Sequence, residues 1–83
     1  MEFYQTSQFG EIVFLKSHKI KHARLDRDID DKRKVIFVFE ESEERDNLSK
    51  AYYNHEGKID DALSFIDEIR HIKALIHKFL KEK

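Results

Sequence analysis

Eighty-three residues suffice for one small domain, and no cysteine is present to staple it with a disulfide or a thiolate-bound metal. Sixteen basic and seventeen acidic residues give a net charge of −1, which argues against a strongly basic nucleic-acid binder and against an acidic DNA mimic. Hydrophobic content of 40% with seven Phe and three Tyr excludes a disordered chain, no run approaches the roughly 18 apolar residues of a membrane span, and MEFYQTSQFGE has neither region of a signal peptide, so a cytoplasmic protein is expected.

Residues 2–6 read as a short strand with aromatic residues on both faces, and Thr6 or Ser7 then offers an N-cap hydroxyl. Phe9, Ile12, Val13 and Leu15 fit helical spacing, which predicts a helix over 7–17. The run 12–15 also suits a buried strand, so residues 9–15 stay open between the two. Gly10 weakens a helix there by about 1 kcal/mol relative to Ala.

Residues 19–25, KIKHARL, predict a basic strand, and 26–32, DRDIDDK, its turn. The returning strand, 33–39, carries Val35, Phe37 and Phe39 on one face and Ile36 and Val38 on the other. A strand apolar on both faces needs neighbours on both edges and cover on both sides. Either the N-terminal segment and three helices supply these, or a second subunit completes the enclosure.

Ser42 predicts an N-cap, with Glu43 and Glu44 in the first turn, for a helix over 43–55. Its stripe is Leu48, Ala51, Tyr52 and His55, and Gly57 is its expected left-handed terminus. Asp60 is the expected cap of a last helix over 61–82. Its stripe is Phe65, Ile69, Ile72, Ile76 and Phe79, widened by Ala62, Ile66 and Leu80 on one flank and Leu75 on the other. Such a helix runs about 33 Å, longer than a small sheet needs, and its alternating spacing of four and three is that of a helix-pairing seam. The fold class predicted is α+β: a single domain in the order β-α-β-β-α-α, with an antiparallel sheet of two to three strands against helices and a long C-terminal helix.

The run Thr6-Ser7-Gln8-Phe9, then Val35-Ile36-Phe37-Val38-Phe39-Glu40 with Ser42-Glu43-Glu44, then Ala51-Tyr52-Tyr53-Asn54, Phe65 and the stretch 70–76 with Lys73 resemble a family of small domains of unknown function from bacteria and their mobile elements. The resemblance implies the same element order and an accessory role in such an element. Gly10 and Val13-Phe14 depart from the Ala-rich first helix expected of it.

Asp26, Asp28 and Asp30 open like a calcium loop, but Asp31 stands where Gly belongs and Phe37 where a bidentate Glu belongs. His18, His22, His55, His71 and His77 form no ligand cluster, and His55 reads as a packed cap residue. Adjacent carboxylates such as Glu43/Glu44 point apart on a helix start, and no nucleophile motif or phosphate-cradling loop is present. The expectation is therefore no enzyme, no metal and no cofactor. Two functions remain. The first is a self-associating or partner-docking module, with Phe65, Ile69, Ile72, Ile76, Phe79 and Tyr53 as candidate interface. Tyr53 has a competing reading as an aromatic packed between the last two helices. The second is a weak nucleic-acid binder using Lys19, Lys21, Arg24 and Arg27, with Lys78 and Lys81 as further candidates; Lys19 and Lys21 also suit an edge strand that resists aggregation.

Overall fold

The computed structural model describes residues 2–59 and 61–81. Its elements are β1 (Phe3–Thr6), α1 (Phe9–Ser17), β2 (His22–Arg27), β3 (Val35–Glu40), α2 (Glu43–Tyr53) and α3 (Ala62–Lys81), the predicted order. The sheet runs β1-β3-β2 with both pairings antiparallel, so β3 is central and β1-α1-β2 is a split βαβ unit. Tyr4 lies opposite Phe39, Thr6 opposite Phe37, and Leu25 opposite Phe37 from the other side, with an irregularity in β2 between His22 and Arg24.

The helices cover one face of this sheet. Val35, Phe37 and Phe39 meet Ile12, Val13, Leu15 and Ile72 in a single core, flanked by half-buried Phe9, Phe65, Ile69, Ile76 and Phe79. Among the described residues no helix covers the other face, yet Val38 on it is fully buried. Arg24 on β2 places its guanidinium 5.4 Å from the centre of the Phe3 ring on β1. That contact spans the central strand, so an aromatic ring and an arginine stem close over Val38. The enclosure β3 needs is thus met inside one chain, and the strand by itself makes no demand for a second subunit.

Helix α1 explains why its sequence was ambiguous. Residues 11–15 are all buried, because α2 and α3 pack on either side of it and Phe14 meets Tyr52 and the backbone of Gly57. A helix buried all round shows no amphipathic period. Its N-cap is Gln8 rather than Thr6 or Ser7. Thr6 instead accepts a hydrogen bond from the Gln8 N–H at 3.1 Å and keeps its hydroxyl proton for Glu11.

Both shorter helices end in the same way. Ile20 N–H donates to Leu15 O and Lys19 N–H to Lys16 O, while Glu56 N–H donates to Ala51 O and His55 N–H to Tyr52 O. These are Schellman ends, with Lys19 (φ 67°) and His55 (φ 59°) in the left-handed position usually held by glycine. The basic strand therefore starts at His22, not at residue 19. His55 is exposed and ends no apolar stripe; Leu48, Ala51 and Tyr52 are half-buried, and the fully buried side of α2 is Arg45 and Ser49. Gly57 has no positive φ; it is needed because the Phe14 ring lies 2.7 Å from where a Cβ would stand. Gly10 is needed for a like reason, since a Cβ there would collide with the Tyr52 hydroxyl.

Ser42 caps α2 as predicted, accepting the Arg45 N–H at 3.0 Å. The cap predicted at Asp60 lies outside the described residues. Asp61 accepts the N–H groups of Leu63 and Ser64. The far end of α3 does not project: Phe79 and Leu80 pack on the core, and Arg27 donates to both of their carbonyls. Among the described residues no helix is long and apolar enough to cross a membrane.

Candidate functional site

The most concentrated polar chemistry is a carboxylate that sequence reading passed over. Glu11 is fully buried and accepts four hydroxyl bonds: Thr6 (2.7 Å) and Tyr53 (2.8 Å) on Oε1, Tyr4 (2.7 Å) and Ser49 (2.6 Å) on Oε2. Ser49 Oγ in turn accepts from Arg45 Nη1 at 2.8 Å, and buried Arg45 lies 3.7 Å above the Tyr4 ring and reaches Glu41 at 2.6 Å. Burial is the largest influence on the Glu11 carboxyl and pushes its pKa up; the bonds from Ser49, Tyr4, Thr6 and Tyr53 outweigh it and hold the pKa below the ordinary 4.5. Burial, then the bond to Glu11, pushes Tyr4 and Tyr53 up to about 12.

A base or nucleophile needs a lone pair facing its substrate. Each Glu11 oxygen already accepts two protons, which fills a carboxylate's usual capacity. The group therefore ties β1, α1 and α2 together. The signal was present as spacing: Tyr4 and Thr6 two apart on a strand, Arg45, Ser49 and Tyr53 four apart on a helix, and Glu11 as the one charged residue among the apolar residues of 9–15.

Of the predicted interface, Ile72 is wholly inside the core and out of any partner's reach. Phe65, Ile69, Ile76 and Phe79 are half-buried and face inward as well. Tyr53 is not sandwiched between the last two helices: its ring stacks edge-on to Tyr52 at 5.1 Å and its hydroxyl is spent on Glu11. The large apolar residues that α3 leaves outside are at its start, Leu63 (74% exposed) and Ile66 (44%), preceded by Ile59 (51%). Beside them a cleft of about 280 Å³ is lined by Phe14, Tyr52, His55, Gly57, Ile59 and Phe65.

The predicted nucleic-acid residues are not brought onto one face. Lys19 and Lys21 precede β2 and are exposed. Arg24 lies on the open face, paired with Asp26 at 3.2 Å, and Arg27 points to the helix side, 5.6 Å from the Phe79 ring centre. Lys16 is half-buried with its Nζ 3.2 Å from His22 Nδ1. Burial lowers the pKa of both, with Lys16 and His71 adding to the effect at His22. In the turn, Asp28 accepts the N–H groups of Asp30 and Asp31, and Asp31 that of Arg33, so these carboxylates shape the hairpin. Among the described residues no group of three or more His, Cys, Asp and Glu is placed to hold a metal.

No curated protein and no solved structure matches the chain. The family model of a domain of unknown function, DUF5659, matches residues 1–79, so the chain belongs to that family.

Proposed function

We propose that the chain is a non-catalytic interaction module that pairs with a second copy of itself through the outer face of the first half of α3. The observation that carries this is the uncovered pair Leu63 and Ile66, three residues apart on one helix face, in a chain whose other long apolar stripe is packed inward. The charge order of α3 favours a second copy as the occupant. Asp61, Asp67 and Glu68 come first, and Arg70, Lys73, Lys78 and Lys81 follow. An antiparallel crossing centred just after Ile66 brings the two Ile66 side chains together and sets Asp67 of each copy within an arginine's reach of Arg70 on the other. A net charge of −1 puts little long-range repulsion in the way.

Light scattering across a concentration series tests the proposal. The mass rises toward a dimer with a midpoint in the micromolar range, as suits a small interface, and Leu63→Asp with Ile66→Asp stays monomeric while keeping its helical signal. A wild-type monomer at every concentration overturns the reading.

A further inference from the structure

The second half of α3 meets the β2–β3 turn at one corner of the molecule, and Arg27 bridges them. Arg27 donates to Lys32 O at 3.3 Å and to the carbonyls of Phe79 and Leu80 at 3.4 and 3.0 Å. One guanidinium thus spans the turn and the last turn of the helix. The helix half of this corner is strongly cationic. From Ile69 to Lys81 the helix has no acidic residue but has Arg70, Lys73, Lys78 and Lys81, all exposed, and the turn adds exposed Lys32 and Arg33. On a helical projection Arg70, Lys73, His77, Lys78 and Lys81 fall in one band about 140° wide, opposite the buried Ile72. Complementing the helix dipole accounts for cations in the last turn but not for Arg70 and Lys73, two to three turns earlier.

We propose that this corner is a contact surface for the phosphate backbone of double-stranded nucleic acid. Duplex is favoured over single strands because the band holds no exposed Phe, Tyr or Trp on which bases would stack. Cations spaced along a helix suit sequence-independent contact with phosphates. The turn's Asp28 and Asp31 carboxylates accept backbone N–H groups, which aims them at their own loop. The surface keeps Lys78 and Lys81 of the nucleic-acid contacts expected from sequence but replaces Lys19, Lys21 and Arg24 of the basic strand, and it does not depend on self-association: a monomeric chain still carries it.

Fluorescence anisotropy with a labelled mixed-sequence DNA duplex, titrated at low and physiological salt, tests it. Wild type binds at low salt and weakens as salt rises. Lys73→Glu/Lys78→Glu/Lys81→Glu lowers affinity by roughly tenfold or more and flattens the salt slope by about 3, one for each lost phosphate contact. The Lys→Gln set at the same positions moves both readouts the same way and guards against misfolding of the Glu set, with folding checked by circular dichroism. The charge-matched control Lys19→Glu/Lys21→Glu/Lys58→Glu leaves affinity within about twofold, the residual long-range effect of net charge. No binding by wild type at low salt overturns the proposal, and so does an equal loss in the control set.

Discussion

At the scale of single residues, Glu11 is the position where the fold is most exposed to a small change. Glu11→Gln keeps the shape but replaces one oxygen, which accepts two hydroxyl protons, with an amide that donates. Two hydroxyls, one of them buried, then lose their acceptor, and destabilisation of about 1–3 kcal/mol by urea denaturation is expected. The sign of the pH dependence follows from the directions of the shifts. The Glu11 carboxyl is depressed in the fold, so its contribution is complete above 4.5 and lost as pH falls through its lower folded value. His22 is also depressed, so the fold favours its neutral ring; stability starts to fall as pH drops below 6.5 and goes on falling to the folded value. Tyr4 and Tyr53 are raised, so the stability tied to their protonated forms is present below pH 10 and lost as pH rises toward 12. Urea midpoints across pH should therefore decline in two acid stages and one alkaline stage, and His22→Phe should remove the first acid stage.

At the scale of elements, the two left-handed helix ends give a gain-of-stability test. Lys19→Gly and His55→Gly relieve the strain of a side chain at positive φ, and each should raise stability by about 1 kcal/mol in thermal or urea unfolding. Gly10→Ala should do the opposite of what helix propensity says. The added methyl meets the Tyr52 hydroxyl, so a loss of about 1–3 kcal/mol is expected, partly recovered in the double variant with Tyr52→Phe. These same positions mark what the sequence made legible. Element order followed from the unbroken apolar run 35–39 of β3, the Ser42 cap and the long stripe of α3. The ends of α1 and α2 did not, because a lysine and a histidine occupy the place of the expected glycine, while both glycines answer to close packing from Phe14 and Tyr52. The candidate surface was legible only in part. Ile66 reads from periodicity as a flank of the core stripe; whether that flank is wet depends on where α1 lies against α3, which spacing along α3 does not carry. Arg27 reads as one more strand cation until the end of α3 is seen within its reach.

At the scale of the molecule, a one-sided layering leaves the main group of neighbouring exposed apolar side chains on and just before the start of α3. The open sheet face seals itself with Phe3 and Arg24 over Val38, and the far end of α3 is held by Arg27. Apolar surface therefore remains in strength near Ile59, Leu63 and Ile66, where acids give way to bases along one helix. The central claim is that this region meets its own copy antiparallel, and sedimentation equilibrium on three chains tests it most directly. Wild type should sediment as a concentration-dependent dimer. Asp67→Arg, which sets like charges against Arg70 of the partner copy, should weaken that dimer by about 1 kcal/mol or more, and Asp67→Arg/Arg70→Asp should restore it. A wild type that sediments as a monomer throughout, or a dimer equally strong in all three chains, would contradict the claim.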